Sequence, residues 1–140
     1  MRLVDTNVLL YAASILPEEE AKRLRARELL AERDLAVSVQ VLQEFYHQAT
    51  RATRPDRLSH DDAVRFLEPV LEMRVQAVTL GVFRDAVSIR QRFGLSYWDA
   101  AILAAARALG CDAVYSEDMS SEQDYGGIRV VNPFERPSRP

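Results

Sequence analysis

The chain has 140 residues, 48% hydrophobic and 28% charged, the composition of one globular domain rather than of a disordered segment. No run of about 18 apolar residues occurs, and Met1-Arg2-Leu3-Val4-Asp5 lacks an apolar leader stretch, so neither a transmembrane helix nor a secretory signal is expected. The single cysteine, Cys111, excludes an intramolecular disulfide framework and a Cys-rich zinc site, and the set points to a reducing cytoplasm. The net charge is −3, whereas phosphate binders usually carry a basic surplus. Every base except Lys22 is Arg, which suits bidentate phosphate contacts but equally follows genome composition.

In chain order, Arg2-Leu3-Val4-Asp5 predicts a short buried strand, followed by a helix capped by Thr6 or Asn7 and running to about Ala12. Pro17-Glu18-Glu19-Glu20 starts a second helix to about Arg33, with Ala21, Leu24, Leu29 and Leu30 as apolar anchors. Leu35-Ala36-Val37-Ser38 is a second strand, and Ser38 caps a helix that ends near Thr53-Arg54-Pro55. Ser59 with Asp62 forms a capping box for a helix to about Met73. Val75-Gln76-Ala77-Val78 is a third strand, and Thr79 caps a helix closed by Gly94. Ser96 with Asp99 repeats the capping pattern before a helix from Trp98 to Leu109, ended by Gly110. Cys111 to Ser116 and Ile128 to Val131 are the last two strands.

Helices alternate with short apolar strands, the pattern of an α/β protein whose parallel sheet is buried on both faces. Residues 1–134 read as one domain and 135–140 as a short tail. Ligands in such folds gather at the carboxyl ends of the strands, and four acids fall there. Asp5 ends the first strand and Asp118 follows the fourth. Glu44 lies about one turn into the helix after the second strand, and Asp99 lies in the first turn of the helix after Gly94. Asp5 and Asp99 sit among residues that want burial, with no Arg adjacent in sequence. A buried carboxylate costs several kcal/mol unless compensated, and a hard divalent cation with oxygen ligands is one compensation. Each acid also has a plain alternative: Asp5 as a helix cap, Glu44 as a solvated helix residue, Asp99 as a capping and dipole acid, Asp118 as a turn acid. Their shared position at one end of the inferred sheet favours a joint role.

Four segments carry a resemblance: Leu3-Val4-Asp5-Thr6-Asn7-Val8-Leu9, Ser38-Val39-Gln40-Val41-Leu42-Gln43-Glu44-Phe45, Leu95-Ser96-Tyr97-Trp98-Asp99-Ala100-Ala101-Ile102 and Ser116-Glu117-Asp118. In order and spacing they resemble the PIN-domain ribonucleases, specifically the VapC toxins of toxin–antitoxin pairs. The resemblance implies a three-layer α/β/α fold around a mainly parallel sheet of about five short strands. It implies an endoribonuclease that uses Mg2+ or Mn2+ and a metal-activated water, inhibited by a cognate antitoxin and usually dimeric. The family's catalytic acids fall on Asp5, Glu44, Asp99 and Asp118, with Asp5, Asp99 and Asp118 as metal ligands and Glu44 completing the shell or orienting water. Its small polar residues fall on Thr6, Asn7 and Ser116, the last where Thr is common. Glu117 and Asp124 are alternatives for the last acid.

The remaining features have ordinary explanations. Glu44-x-x-His47 is a di-iron spacing that occurs once here, outside a bundle. His60 is expected exposed and Cys111 in the core. Arg51 and Arg54, after the Glu44 helix, are candidates for RNA phosphates, as are Arg23, Arg25 and Arg27. Tyr97 and Trp98 could stack on bases, although a Trp beside a buried helix is more often core. A haloacid-dehalogenase-like phosphatase wants an Asp where Asn7 stands, and a receiver domain wants a late Lys. A catalytically inactive PIN-like module that binds RNA or a partner predicts a degraded acidic set, whereas all four acids are present.

Overall fold

The computed structural model describes residues 1–121 and 123–135; residues 136–140 of the expected tail lie outside the described residues. Five strands form one sheet: β1 (Arg2–Val4), β2 (Leu35–Ser38), β3 (Arg74–Gln76), β4 (Ala113–Tyr115) and β5 (Arg129–Val131). Six helices connect them: α1 (Thr6–Ala13), α2 (Glu20–Leu30), α3 (Val39–Thr50), α4 (His60–Val70), α5 (Leu80–Phe93) and α6 (Tyr97–Leu109). The sheet order is β3-β2-β1-β4-β5, and every pairing is parallel. The expected α/β class with five short strands is therefore present.

The order places β1 at the centre. The chain moves outward from β1 through β2 to β3, then returns through α5 and α6 to β4 on the other side of β1. In a parallel sheet this reversal opens a crevice beyond the carboxyl ends of the two strands that flank it. The register pairs Leu3 with Val114 and Val4 with Tyr115, so Asp5 and Ser116 leave the sheet side by side at that crevice.

The core lies where these strands meet α6. Leu3, Val4, Val37, Val114 and Val130 are buried, and so is every residue of α6 from Ala100 to Ala106. Five of those seven are alanines, whose short side chains let the helix approach the strands closely. Among the described residues no helix is long and apolar enough to cross a membrane.

Several expected boundaries and environments differ from those observed. Asp5, not Thr6 or Asn7, caps α1: its Oδ1 accepts the backbone N–H of Thr6 at 2.7 Å. Pro17–Glu19 forms a separate 3-10 turn before α2, and α2 ends at Leu30 rather than Arg33, followed by a turn in which Asp34 takes a positive φ of 65° before β2. Ala21 and Leu24 face solvent, while Ala26 and Leu29 are the buried residues of α2. β3 is an edge strand with all three residues at least partly exposed, so burial on both faces holds for β2 and β4 but not for β3. Trp98 is exposed rather than core. The expected caps Ser38, Ser59, Thr79 and Ser96 each accept an N–H of the first turn.

Candidate functional site

The crevice beyond β1 and β4 is a cleft of about 260 Å³ whose walls include Asp5, Thr6, Asn7, Glu44, Asp99 and Asp118. Four separate elements deliver the acids. Asp5 stands at the junction of β1 and α1. Glu44 projects from α3, and Asp99 from the first turn of α6, where its N–H is held by Ser96 Oγ at 3.2 Å. Asp118 lies in the loop after β4.

A network of neutral donors fixes three of these carboxylates. Ser116 Oγ donates to Asp5 Oδ2 at 2.7 Å, and the same oxygen accepts the N–H of Asp118 at 3.1 Å. Thr6 Oγ1 donates to Glu44 Oε2 at 2.8 Å. Gln40, one turn before Glu44 on α3, donates to Glu44 Oε1 at 2.9 Å and to the carbonyl of Trp98 at 3.3 Å. Asn7 Nδ2 donates to Asp118 Oδ2 at 3.1 Å. Thr6, Asn7 and Ser116 thus each hold one of the acids.

The electrostatics of the cleft are unbalanced. Among the described residues none of the four acids is ion-paired. Asp5 is 4% exposed. Burial pushes its carboxyl up to about 6, against the hydrogen bonds from Ser116 and Thr6, and the charges of Asp118 and Glu44 push the same way. Asp99 is also raised, first by burial and then by Asp118 and Glu44. Asp5 and Asp99 therefore resist ionisation and feel the same two neighbours.

As arranged, no group of three or more His, Cys, Asp or Glu is close enough to hold a metal ion, among the described residues. The donor set nevertheless fits Mg2+ or Mn2+ in its chemistry: it offers hard oxygens only, carries an excess of negative charge and has no internal cation to offset it.

Other candidates stand elsewhere. Arg51 and Arg54 do not line the cleft. Arg51 is the exposed C-cap of α3, and Arg54 Nε lies 3.0 Å from the buried carboxylate of Asp56. Arg25 and Arg27 donate to the carbonyls of Pro133 and Ala12, and Arg23 lies 3.7 Å from Glu20. Glu117 turns from the cleft to Lys22 at 2.8 Å, and Asp124 caps a turn by accepting the N–H of Gly127. Gln40 and Gln48 also line the cleft and are not among the residues expected there from the sequence. Gln40 was detectable, since it precedes Glu44 by four residues, the spacing of facing side chains on a helix.

Fold and cleft together define a parallel α/β protein with an all-carboxylate site at the switch point of its sheet. The chain belongs to the PIN-domain family, whose model matches residues 2–121. Among curated protein sequences none matches it. Among solved structures it is similar to VapC20 of Mycobacterium tuberculosis, a Sarcin-Ricin loop cleaving toxin, with a TM-score of 0.66 and 24% identity over 84% of this chain and 90% of that one. A toxin–antitoxin complex from Klebsiella pneumoniae matches with a TM-score of 0.70 and 20% identity, over 97% of this chain and 100% of that one. FitAcB from Neisseria gonorrhoeae matches with a TM-score of 0.63 and 19% identity, over 97% and 100%. At these identities the likeness is one of fold.

Proposed function

We propose that this protein is an endoribonuclease that hydrolyses RNA phosphodiesters with Mg2+ or Mn2+, and that it is the toxin of a toxin–antitoxin pair. The observation that carries the reading is the convergence of Asp5, Glu44, Asp99 and Asp118, none ion-paired among the described residues, on one cleft. Placing such acids together costs stability, and binding a cation recovers it.

Asp5, Asp99 and Asp118 would hold the cation, with Glu44 beside them. The chemistry such an ion supplies when bound is acidification of water and neutralisation of charge on phosphate. The side chains do the positioning. Ser116 and the Thr6 N–H keep both Asp5 oxygens in fixed directions. Thr6 and Gln40 engage both oxygens of Glu44, so its remaining lone pairs orient water or accept a proton. Asn7 sets Asp118. No Ser, His or Cys nucleophile lines the cleft among the described residues, which accords with hydrolysis by water.

The test is cleavage of structured RNA by wild type and by Asp5→Asn, each with Mg2+ and with excess EDTA. Cleavage by wild type with Mg2+ alone is expected. Equal cleavage by both chains, or cleavage indifferent to EDTA, overturns the proposal. A folded wild type that binds Mg2+ and cuts no RNA is instead a PIN-domain binding module.

The biological role is a further part of the proposal. VapC20 is a toxin, and the Klebsiella structure is a toxin–antitoxin complex, which supports an antitoxin partner for this chain; a homodimer is part of the same proposal. Expression alone should arrest growth, and co-expression of a small neighbouring frame should relieve it. Harmless expression of an active nuclease would separate the enzyme from the toxin role.

A further inference from the structure

Carboxylate chemistry does not account for the surface next to the cleft. Trp98 precedes Asp99 in the first turn of α6 and is the chain's only tryptophan, yet it is 64% exposed. Its ring meets Tyr97 edge-on, with centroids 5.0 Å apart at 77°, and Tyr97 lies 5.9 Å from Phe83 of α5. Beside these rings runs a groove of about 80 Å³ lined by Val78, Val82 and Ala101 and by the amides of Gln40, Gln43 and Gln76. Among the described residues no charged side chain lines it. Trp98 and Gln40 line both groove and cleft, so the two adjoin. The indole and an acid of the cleft, Asp99, stand on consecutive residues.

That juxtaposition suits one part of a nucleotide. A phosphate is repelled by the acids until a cation arrives, and the neutral groove gives it no partner. A nucleobase is uncharged, has apolar faces and carries donors and acceptors on its edge. Aromatic rings receive the faces of any base, and glutamine amides can both donate and accept at an edge. A base inside a duplex is already stacked and paired, so only an unpaired one can turn its face to Trp98. A second copy of this chain is the competing occupant. It would have to cover Val78, Leu80, Phe83 and Val87, all exposed, but it would leave unexplained why Trp98 and Gln40 stand at the cleft as well as at the groove.

Resting on the nuclease reading above, we propose that Trp98, backed by Tyr97 and Phe83 and edged by Gln40, stacks on one unpaired nucleobase next to the bond that is cut.

The lone indole reports on its own site. Glu44→Gln protein, which keeps Asp5, Asp99 and Asp118 for the cation, is titrated in Mg2+ with a short unstructured RNA, and separately with an RNA duplex of equal length. Binding is followed in parallel by anisotropy of a label on the RNA. Saturable quenching of Trp98 by the single strand, and little by the duplex, is expected. In the wild-type background Trp98→Ala should raise KM about ten-fold or more, the value of a lost base stack, and should affect KM more than kcat. Trp98→Phe should recover part of the loss. Saturating anisotropy with an unquenched indole, or an unchanged KM in Trp98→Ala, overturns the proposal. So does indole emission that shifts to the blue as protein concentration rises without RNA, which assigns the surface to a second copy. Cleavage with a silent Trp98 removes the stacking site alone, whereas quenching without cleavage by wild type removes the nuclease reading and leaves the stacking site standing.

Discussion

Ser116 and Asp5 lie 111 positions apart, yet a 2.7 Å hydrogen bond joins them and ties the ends of β4 and β1 together at the cleft. The bond matters because it favours the ionised form of a carboxylate that burial disfavours. Ser116→Ala should cost about 1–3 kcal/mol, the range for a buried bond to a charged acceptor. The loss should be larger at pH 8 than at pH 4, because only the charged carboxylate needs the donor. Urea melts at the two pH values measure this. Ser116→Thr keeps the hydroxyl and should stay within about 1 kcal/mol of wild type.

Asp5 itself sets a pH dependence of the cation-free chain. Its carboxyl rises from 3.8 to about 6 on folding. Between those values the folded chain binds the proton and the unfolded chain has released it, so stability falls as pH rises. The favourable contribution is complete below pH 4 and gone above about pH 6. At about 1.4 kcal/mol per pH unit the loss is about 3 kcal/mol. Asp5→Asn cannot ionise and can still cap α1, so in EDTA it should melt higher than wild type at pH 7.5 and nearly alike at pH 4. Mg2+ should raise the melting temperature of wild type at pH 7.5 and leave that of Asp5→Asn nearly unmoved. A wild type that loses no stability relative to Asp5→Asn between pH 4 and 7 in EDTA contradicts this account.

What the sequence disclosed, and what it hid, follows from the range of the interactions. Caps are local, so Ser38, Ser59, Thr79 and Ser96 were readable from a few neighbours, as were Gly94 and Gly110, whose φ values of 68° and 76° end α5 and α6. The parallel sheet followed from strand–helix alternation, and the position of the acids followed from the sheet. The Asp5 cap was harder, because a strand-ending acid and a capping acid have the same sequence signature, and Asp5 is both. Leu24 and Trp98 continue apolar patterns on their helices but face outward, because burial depends on what packs over a helix rather than on its own period. The contact between Lys22 and Glu117 spans 95 positions, and nothing near either residue announces it.

That contact has its own consequence. Lys22 Nζ lies 2.8 Å from Glu117 Oε1 and 3.1 Å from the Tyr11 hydroxyl, with the Tyr11 ring 4.7 Å away. Glu117 precedes Asp118 in the loop after β4, and its N–H reaches Asn7 Oδ1 at 3.4 Å. The Lys22 side chain is 41% exposed, so solvent screens the pair and its coupling should be only about 0.5–1 kcal/mol. A double-mutant cycle of Lys22→Met and Glu117→Gln in denaturant melts measures it. Cleavage by Lys22→Met should fall further than that modest figure accounts for, because the released Glu117 no longer anchors the loop that presents Asp118. Wild-type activity in a Lys22→Met chain would show that the loop needs no such anchor.

Arg51 and Arg54 are both candidates for RNA phosphates, and their surroundings predict opposite behaviour. Arg54 is 17% exposed and lies 3.0 Å from Asp56, whose side chain is 3% exposed. Among the described residues Asp56 Oδ1 has no other polar partner, so the guanidinium is what offsets this buried charge. Removing one partner of a buried pair leaves the other uncompensated and costs about 3–5 kcal/mol. Arg54→Ala should therefore lower the denaturation midpoint sharply. Pairing it with Asp56→Asn should restore part of the loss, because the orphaned charge is then gone. Arg51 is exposed and makes no ion pair among the described residues. Arg51→Ala should leave stability within about 0.5 kcal/mol. If Arg51 meets a phosphate, its loss should weaken RNA binding and reduce the salt slope by about one. Arg54→Ala with unchanged stability and weakened RNA binding would reverse the two assignments.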